Sequence, residues 1–263
     1  MNSVDIHPTA IIDKRVELGD GVSVGPYSVI KGKVFIESGT RIESHVVIGS
    51  EHGVVKLGRN NHLYPGAMIG GPPQDLKFKG EETHLEVGEG NMFREFVTVN
   101  VGTVTGGGIT RIGNHNLLMA YVHVAHDCTL GSHIAIANTT NFAGHVTVED
   151  FVRIGGVCSF NQFITVGQYA FVAGDSAVNK DIMPFTMAQG KYAVSRALNS
   201  IGLERAGFAK EEIENLRRAI RIITKGERTI EEALTEIHQQ CSPSEGIEYL
   251  VQFIRKSERG IAR

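Results

Sequence analysis

From Ile112 onward an aliphatic or phenylalanine side chain returns at every sixth position without a miss: Leu118, Val124, Leu130, Ile136, Phe142, Val148, Ile154, Phe160, Val166, Val172 and Val178. The same beat runs earlier through Ile6, Ile12, Leu18, Val24, Ile30, Ile36, Ile42 and Ile48, then Leu57, Leu63 and Ile69, and finally Val87, Phe93 and Val99. With the aliphatic residue as position one, position five tends to be small or β-branched, as in Val22, Ser28, Thr40, Val46, Cys128, Ile134, Thr140 and Cys158. This pattern predicts a parallel β-helix, in which three hexapeptides make a triangular coil and coils stack at about 4.8 Å. Residues eighteen apart then lie one above another, so the core is a set of like-on-like ladders.

Three interruptions break the beat, near residues 50–56, 71–85 and 105–111. Insertions in a solenoid become loops beside a binding face. The second contains Pro72-Pro73 with Asp75, Lys77 and Lys79, and can present both charges to a ligand; the third holds Gly106, Gly107 and Gly108 and is expected to turn tightly or close over something. After Pro184 the spacing becomes helical, with segments expected near 197–207, 210–225, 229–240 and 244–256. Thr229 and Glu232 form a T-x-x-E capping box, and Gly207 and Gly226 read as helix stops. The expected division is a β-helix over residues 1–190 and a small α-helical domain over 191–263.

Charge and composition add exclusions. The net charge of −3 arises from 13 basic and 18 acidic residues before Lys191 and 13 basic and 11 acidic from it onward. No lysine/arginine block points to nucleic acid. No run of 18 apolar residues and no leader-like N-terminus occur, so a cytoplasmic protein without stable membrane insertion is expected. Cys128, Cys158 and Cys241 have no CxxC spacing, and Cys128 and Cys158 fall on different faces of the coil, so neither a disulfide nor a cysteine metal site is expected.

Candidate chemistry concentrates in residues 117–146. His126 takes position three, His145 position four, His123 position six and, further on, Asn161 position two, so none occupies the inward place. The residue stacked on His126 is Gly144, eighteen positions on, which puts His126 and His145 at one corner of neighbouring coils. A neutral imidazole near pH 7 is suited to take a proton from a hydroxyl or amine as it attacks, with Asp127 holding the tautomer and a backbone N–H beside Gly144 stabilising an oxyanion. Two other readings remain: a zinc hydratase with three histidine ligands, and a non-catalytic β-helical scaffold. No acidic or cysteine ligand recurs at ladder spacing, and no metal or cofactor is expected. Arg217, Arg218, Arg221 and Lys225 are spaced so that several share one face of a helix, which suits an acidic protein partner.

The strings IGGPPQDLKFKGE, LLMAYVHVAHDCTLG, FAGHVTVEDF, IGG followed by FNQF, and GLERAGF make the chain similar to the UDP-N-acetylglucosamine 3-O-acyltransferases that begin lipid A synthesis in Gram-negative bacteria. The resemblance covers about residues 6–260. It implies left-handed coils, a homotrimer with sites in clefts between subunits, and transfer of a 3-hydroxyacyl group from acyl carrier protein to the glucosamine 3-position of a UDP-sugar acceptor. On this resemblance His126 is the general base, Asp127 its support and Gly144 the oxyanion donor. Asp75, Lys77, His123, His145 and Gln162 contact the sugar or shape the site, Asn199 and Arg205 contact the nucleotide, and Gly174 lines the acyl groove. Arg217, Arg218 and Arg221 become the acyl-carrier-protein surface. The chain departs from the family pattern at Asn100 and Val101, at Asn161, and at Ile201 and Ala206. These departures leave transfer to the 3-amino analogue of the nucleotide sugar as an alternative.

Overall fold

The computed structural model describes residues 4–225 and 228–263, so the helix stop expected at Gly226 lies outside the described residues. Short strands recur along the chain to form three parallel sheets that wrap one core as a left-handed β-helix. The first begins at Asp5–Ile6, the second at Ile11–Ile12 and the third at Val16–Leu18. Register in the regular coils is eighteen residues: Asp5 pairs with Ser23, Ile11 with Val29 and Val16 with Val34. Position-one side chains point inward, and Phe142 stacks on Phe160 with ring centroids 4.8 Å apart.

The corners have their own rule. Among the described residues, sixteen non-glycine residues have positive φ, among them Tyr27, His45, Asp127, His145 and Phe163, and each stands at position four once Ile182, which pairs with Val166, is counted as position one for Phe185. A left-handed conformation is unfavourable for a residue with a Cβ. Here it is accompanied by stacking of the exposed rings, as in His133 on Phe151 at 5.0 Å and Phe151 on Tyr169 at 4.7 Å.

All three insertions fall at one corner, between the second and third sheets. They separate Ile48 from Leu57, Ile69 from Val87 and Val99 from Ile112, where six residues would suffice. Register lengthens accordingly, with Ile36 opposite Leu57, Leu57 opposite Val87 and Val87 opposite Ile112.

A buried polar ladder runs up the corner between the third and first sheets, where Asn61, Asn91 and Asn116 take the inward fifth place. Asn61 Oδ1 accepts from the Asn91 N–H at 2.9 Å, Asn91 Oδ1 from the Asn116 N–H at 2.9 Å, and Asn116 Oδ1 from the Ile134 N–H at 2.8 Å. Their Nδ2 groups donate to the carbonyls of Gly58, Gly88, Gly113 and Gly131. Each amide thus satisfies backbone groups of neighbouring coils.

The expected boundary at residue 190 falls within a β-hairpin: Thr186–Gly190 pairs antiparallel with Ala193–Leu198 and both extend the first sheet. Helices therefore start at Ser200 rather than 197, because residues up to Leu198 are held by sheet hydrogen bonds. They are α1 (Ser200–Arg205), α2 (Lys210–Thr224), α3 (Ile230–Gln240) and α4 (Glu245–Lys256). Gly207 follows α1 in the left-handed conformation, and the Thr229/Glu232 capping box opens α3 with both hydrogen bonds made. A second core forms around Ile213, Leu216, Leu234, Ile237, Leu250 and Ile254. The C-terminal tail then returns to the β-helix, with Ala262 buried in the first core and its N–H donating to the Asp181 carbonyl at 2.8 Å.

Asn91→Ala strips the ladder of its central member and leaves buried backbone groups unpaired, so it should lower unfolding free energy by about 2–3 kcal/mol in chemical denaturation at fixed protein concentration. A loss under about 0.5 kcal/mol would show the ladder to be dispensable.

Candidate active site

Along a strand, neighbouring side chains point to opposite faces, so consecutive residues cannot cooperate there. A corner removes that restriction. Position four at Asp127 has φ 60°, and the turn brings its carboxylate against the preceding imidazole: His126 Nδ1 lies 2.7 Å from Asp127 Oδ2. Both residues are 8% exposed. The carboxylate is further fixed by the third insertion, since Thr103 donates its N–H to Oδ1 at 2.9 Å and its hydroxyl to Oδ2 at 2.6 Å. Gly106 packs so closely that a Cβ there would stand 2.1 Å from Asp127 Oδ2. With Nδ1–H committed to Asp127, neutral His126 presents an unprotonated Nε2.

The His126 ring lies over Gly144, where a Cβ would approach Cε1 to 2.6 Å. Glycine is needed at 144 to leave room for the ring, and no acceptor among the described residues takes the Gly144 N–H. His145 follows at position four, its Nε2 3.9 Å from Asp127 Oδ2, its ring edge-on to His126 at 5.3 Å and flat on Phe163 at 4.4 Å. Burial holds the His145 pKa below its ordinary value, opposed in part by the Asp127 carboxylate, and burial likewise lowers His123.

A cleft of about 900 Å³ opens at this corner, lined by Gln74, Asp75, Lys77, Thr105, His126, His145, Gln162 and Phe163 among others. The second insertion thus brings its Asp75 and Lys77 into the same cleft as His126 and His145. The base of that loop is held where the sequence departs from the family pattern: Asn100 Nδ2 donates to the Pro72 carbonyl at 2.9 Å and the Val101 N–H to the Gly71 carbonyl at 3.0 Å. His123 stands beside the corner on the second sheet, its Nδ1 2.7 Å from Thr98 Oγ1. Asn161 is exposed next to Gln162.

Other expected residues lie elsewhere within the chain. Gly174 is at the corner between the first and second sheets, and Asn199 and α1 pack against Tyr169 and Phe185 at the corner between the third and first. A whole sheet separates each from the cleft, so one chain alone does not bring Gly174, Asn199 and Arg205 to His126. Asn199 is also the N-cap of α1: its Oδ1 accepts from the Gly202 N–H at 3.2 Å while Nδ2 donates to the Tyr169 carbonyl at 2.8 Å. Arg205 is exposed in the last turn of α1.

The basic cluster divides. Arg217 and Arg221, with Arg196 and Lys225, line a shallow cleft of about 200 Å³, whereas Arg218 turns away to donate to the Gln240 carbonyl at the end of α3. Residues 217 and 221 share a face at helical spacing, and 218 points about 100° from 217.

Thr103 and Phe163 were not apparent from the sequence. Thr103 reaches Asp127 across 24 residues, and its only signal was the glycine run after it, which lets the loop close on the carboxylate. As for metal, His126, Asp127 and His145 bring ligand atoms within 4.8 Å of one another. Both Asp127 oxygens already accept hydrogen bonds, however, and a cation there would have to break those from His126 and Thr103. Cys128 is no substitute nucleophile: its thiol is buried and burial pushes its pKa up to about 12.

Comparison with known proteins identifies the family. The family model described as Udp N-acetylglucosamine O-acyltransferase, domain 2, matches residues 181–262. An acyl-[acyl-carrier-protein]–UDP-N-acetylglucosamine O-acyltransferase of Saccharophagus degradans is 48% identical, and one of Halorhodospira halophila 44% identical, each over 98% of this chain and 99% of its own. The crystal structure of a UDP-N-acetylglucosamine acyltransferase from Bacteroides fragilis superposes with a TM-score of 0.93 at 39% identity, over 98% of this chain and 99% of that one. Full-length identity at this level, on the same β-helix and the same helical C-terminus, makes this chain a member of the UDP-N-acetylglucosamine O-acyltransferase family.

Proposed function

We propose that the protein transfers an (R)-3-hydroxyacyl group from acyl carrier protein to the glucosamine 3-hydroxyl of UDP-N-acetylglucosamine, the first step of lipid A synthesis, with His126 as general base. The observation that carries this reading is one imidazole with Nδ1 tied to a buried carboxylate and Nε2 left for a 900 Å³ cleft. His126 Nε2 removes the 3-hydroxyl proton as that oxygen bonds to the thioester carbonyl carbon. The Gly144 N–H stabilises the oxyanion, and on collapse the carbon–sulfur bond breaks while the imidazolium returns its proton to the departing thiolate. Asp127 stabilises the imidazolium between the two transfers, and no acyl-enzyme forms. The relatives' names favour the hydroxyl over the 3-amino acceptor.

A homotrimer completes the site. Outward residues of the second sheet, Ile11, Val29, Val47, Met68, Thr98, His123, Asn141, Ser159 and Ala177, include no Asp, Glu, Lys or Arg, and Ile11 and Met68 are 65% and 50% exposed. This face separates the His126 corner from the Gly174 corner. A second copy packed against it covers the exposed apolar side chains, forms an acyl groove that runs toward Gly174, and can bring its own Asn199 and Arg205 to the cleft. The basic cleft of Arg196, Arg217, Arg221 and Lys225 suits acidic acyl carrier protein. Both substrates place the reaction in the cytoplasm.

His126→Ala should reduce kcat by about 10³-fold with unchanged secondary structure, and a rate within a factor of about ten of the parent would remove His126 as the base. Sedimentation should give about three times the 28.6 kDa chain mass, and Val47→Glu with Met68→Glu should release monomers; a parent protein already monomeric would sink the shared-site arrangement. For His123 and His145 the folded pKa is depressed from 6.5, so the unfolded chain binds more protons as pH falls below that value. Their contribution is complete above 6.5 and is lost through the window beneath it. The unfolding midpoint should therefore fall on acidification from pH 7.5 to 5.5, with a shallower slope in the His123→Asn, His145→Asn double variant.

A further inference from the structure

At the catalytic corner two ladders run from coil to coil. In the first, the position-three carbonyl of one coil accepts from the position-four N–H of the next: His126 from His145 at 3.1 Å, then Gly144 from Phe163 at 3.3 Å. In the second, ring lies on ring, His145 on Phe163 at 4.4 Å and 8° from parallel. The next coil is cut short at this corner. Ile182 pairs with Val166 only sixteen residues before it, and the N–H of Asp181, eighteen residues after Phe163, is turned away to the Gly260 carbonyl. The Gln162 carbonyl and the far face of Phe163 are thus left without the coil that would cover them, although both residues line the cleft.

Arg259 fills that place. Its Nη2 donates to the Gln162 carbonyl at 3.2 Å, and its Cζ stands 5.9 Å from the Phe163 ring centroid. The residue is exposed, but its backbone is pinned on both sides: Ser257 Oγ donates to Asp181 Oδ2 at 2.6 Å, and Gly260 and Ala262 bond the Asp181 backbone at 2.9 and 2.8 Å. One guanidinium terminates both ladders. We propose that Arg259 is a positioning residue for the catalytic corner, holding Gln162, Phe163 and through them His145 in place from the C-terminal tail. This rests on the acyl-transfer reading of the cleft. Phe163 is 52% exposed, so without the cation on its outer side little else keeps its ring against His145.

The test compares Arg259→Met, which keeps the stem and loses the cation, with Arg259→Lys, which keeps a donor and a charge. Arg259→Met should lower kcat about ten-fold, with KM for nucleotide sugar and acyl donor within about two-fold, the scale of a small displacement at a reacting centre. Arg259→Lys should recover to within about three-fold of the parent. In protein labelled at histidine, the His145 Cε1–H resonance, shifted by the ring current of Phe163, should move in the Met variant and return in the Lys variant. A parental kcat with an unmoved resonance overturns the proposal, and so does a raised KM at unchanged kcat, which would make Arg259 a substrate contact. His126→Ala run alongside separates the two readings: retention of its rate defeats the assigned base, while the resonance still decides the role of Arg259.

Discussion

The β-helix is governed by the stacking of its coils, eighteen residues apart wherever no loop is inserted. Because each position-one side chain must lie on its equivalent in the coils above and below, no strand can slip without turning the core outward. The register reaches the surface too. Most corners carry a left-handed residue at position four, at a cost on the order of 1 kcal/mol where that residue has a Cβ. Where rings occupy those positions, contacts such as Phe151 on Tyr169 offset costs of that order. Strain and stacking therefore recur together, at the same place in successive coils.

A solenoid under that constraint can accept extra chain only where it does not disturb the pairing of strands. The three insertions all enter at the corner between the second and third sheets, and so do His126, His145 and Gln162 on the coils that follow. The loops consequently converge on the histidines. The insertion from Gly71 brings charge to the cleft, and the one around Thr103 brings the hydroxyl and N–H that fix Asp127. The site's polarity comes from loops and its geometry from the coil, which is why a buried carboxylate can be held by three hydrogen bonds at an otherwise exposed edge of the molecule.

What the sequence disclosed follows from the same division. Properties repeating with the coil were legible: the inward ladder through Val124, Leu130 and Phe142, the stacking of Gly144 on His126, and the separation of Cys128 from Cys158. The helices were legible from their own period, and the Thr229 capping box from local chemistry. Contacts made once, across long separations, were not. Thr103 meets Asp127 only after the loop has closed, and Arg259 meets Gln162 only after the chain has returned from the helical region. Asn61, Asn91 and Asn116 passed unnoticed because a polar residue at an inward place looks like a loop until its partners are seen to be the backbone of adjacent coils. The hairpin across Lys191 was missed because its final strand, Ala193–Leu198, lacks the six-residue beat.

The pairing of His126 with Asp127 shows how fold and chemistry can require the same residue. A general base on the outer face of a β-helix needs a carboxylate within hydrogen-bond reach, and along a strand the adjacent side chain points the wrong way. Only the turn folds position four back beside position three. Position four must also adopt positive φ, a conformation that Asp and Asn tolerate better than most residues. Asp127 meets both demands at φ 60° with its Oδ2 2.7 Å from His126 Nδ1. Eighteen residues later the corner needs room for that imidazole, and Gly144, without a Cβ, leaves it, with its N–H beside the ring. On the proposed mechanism the corner therefore supplies the base, its orienting carboxylate and an adjacent backbone donor from two successive turns, and the coil repeat sets their spacing.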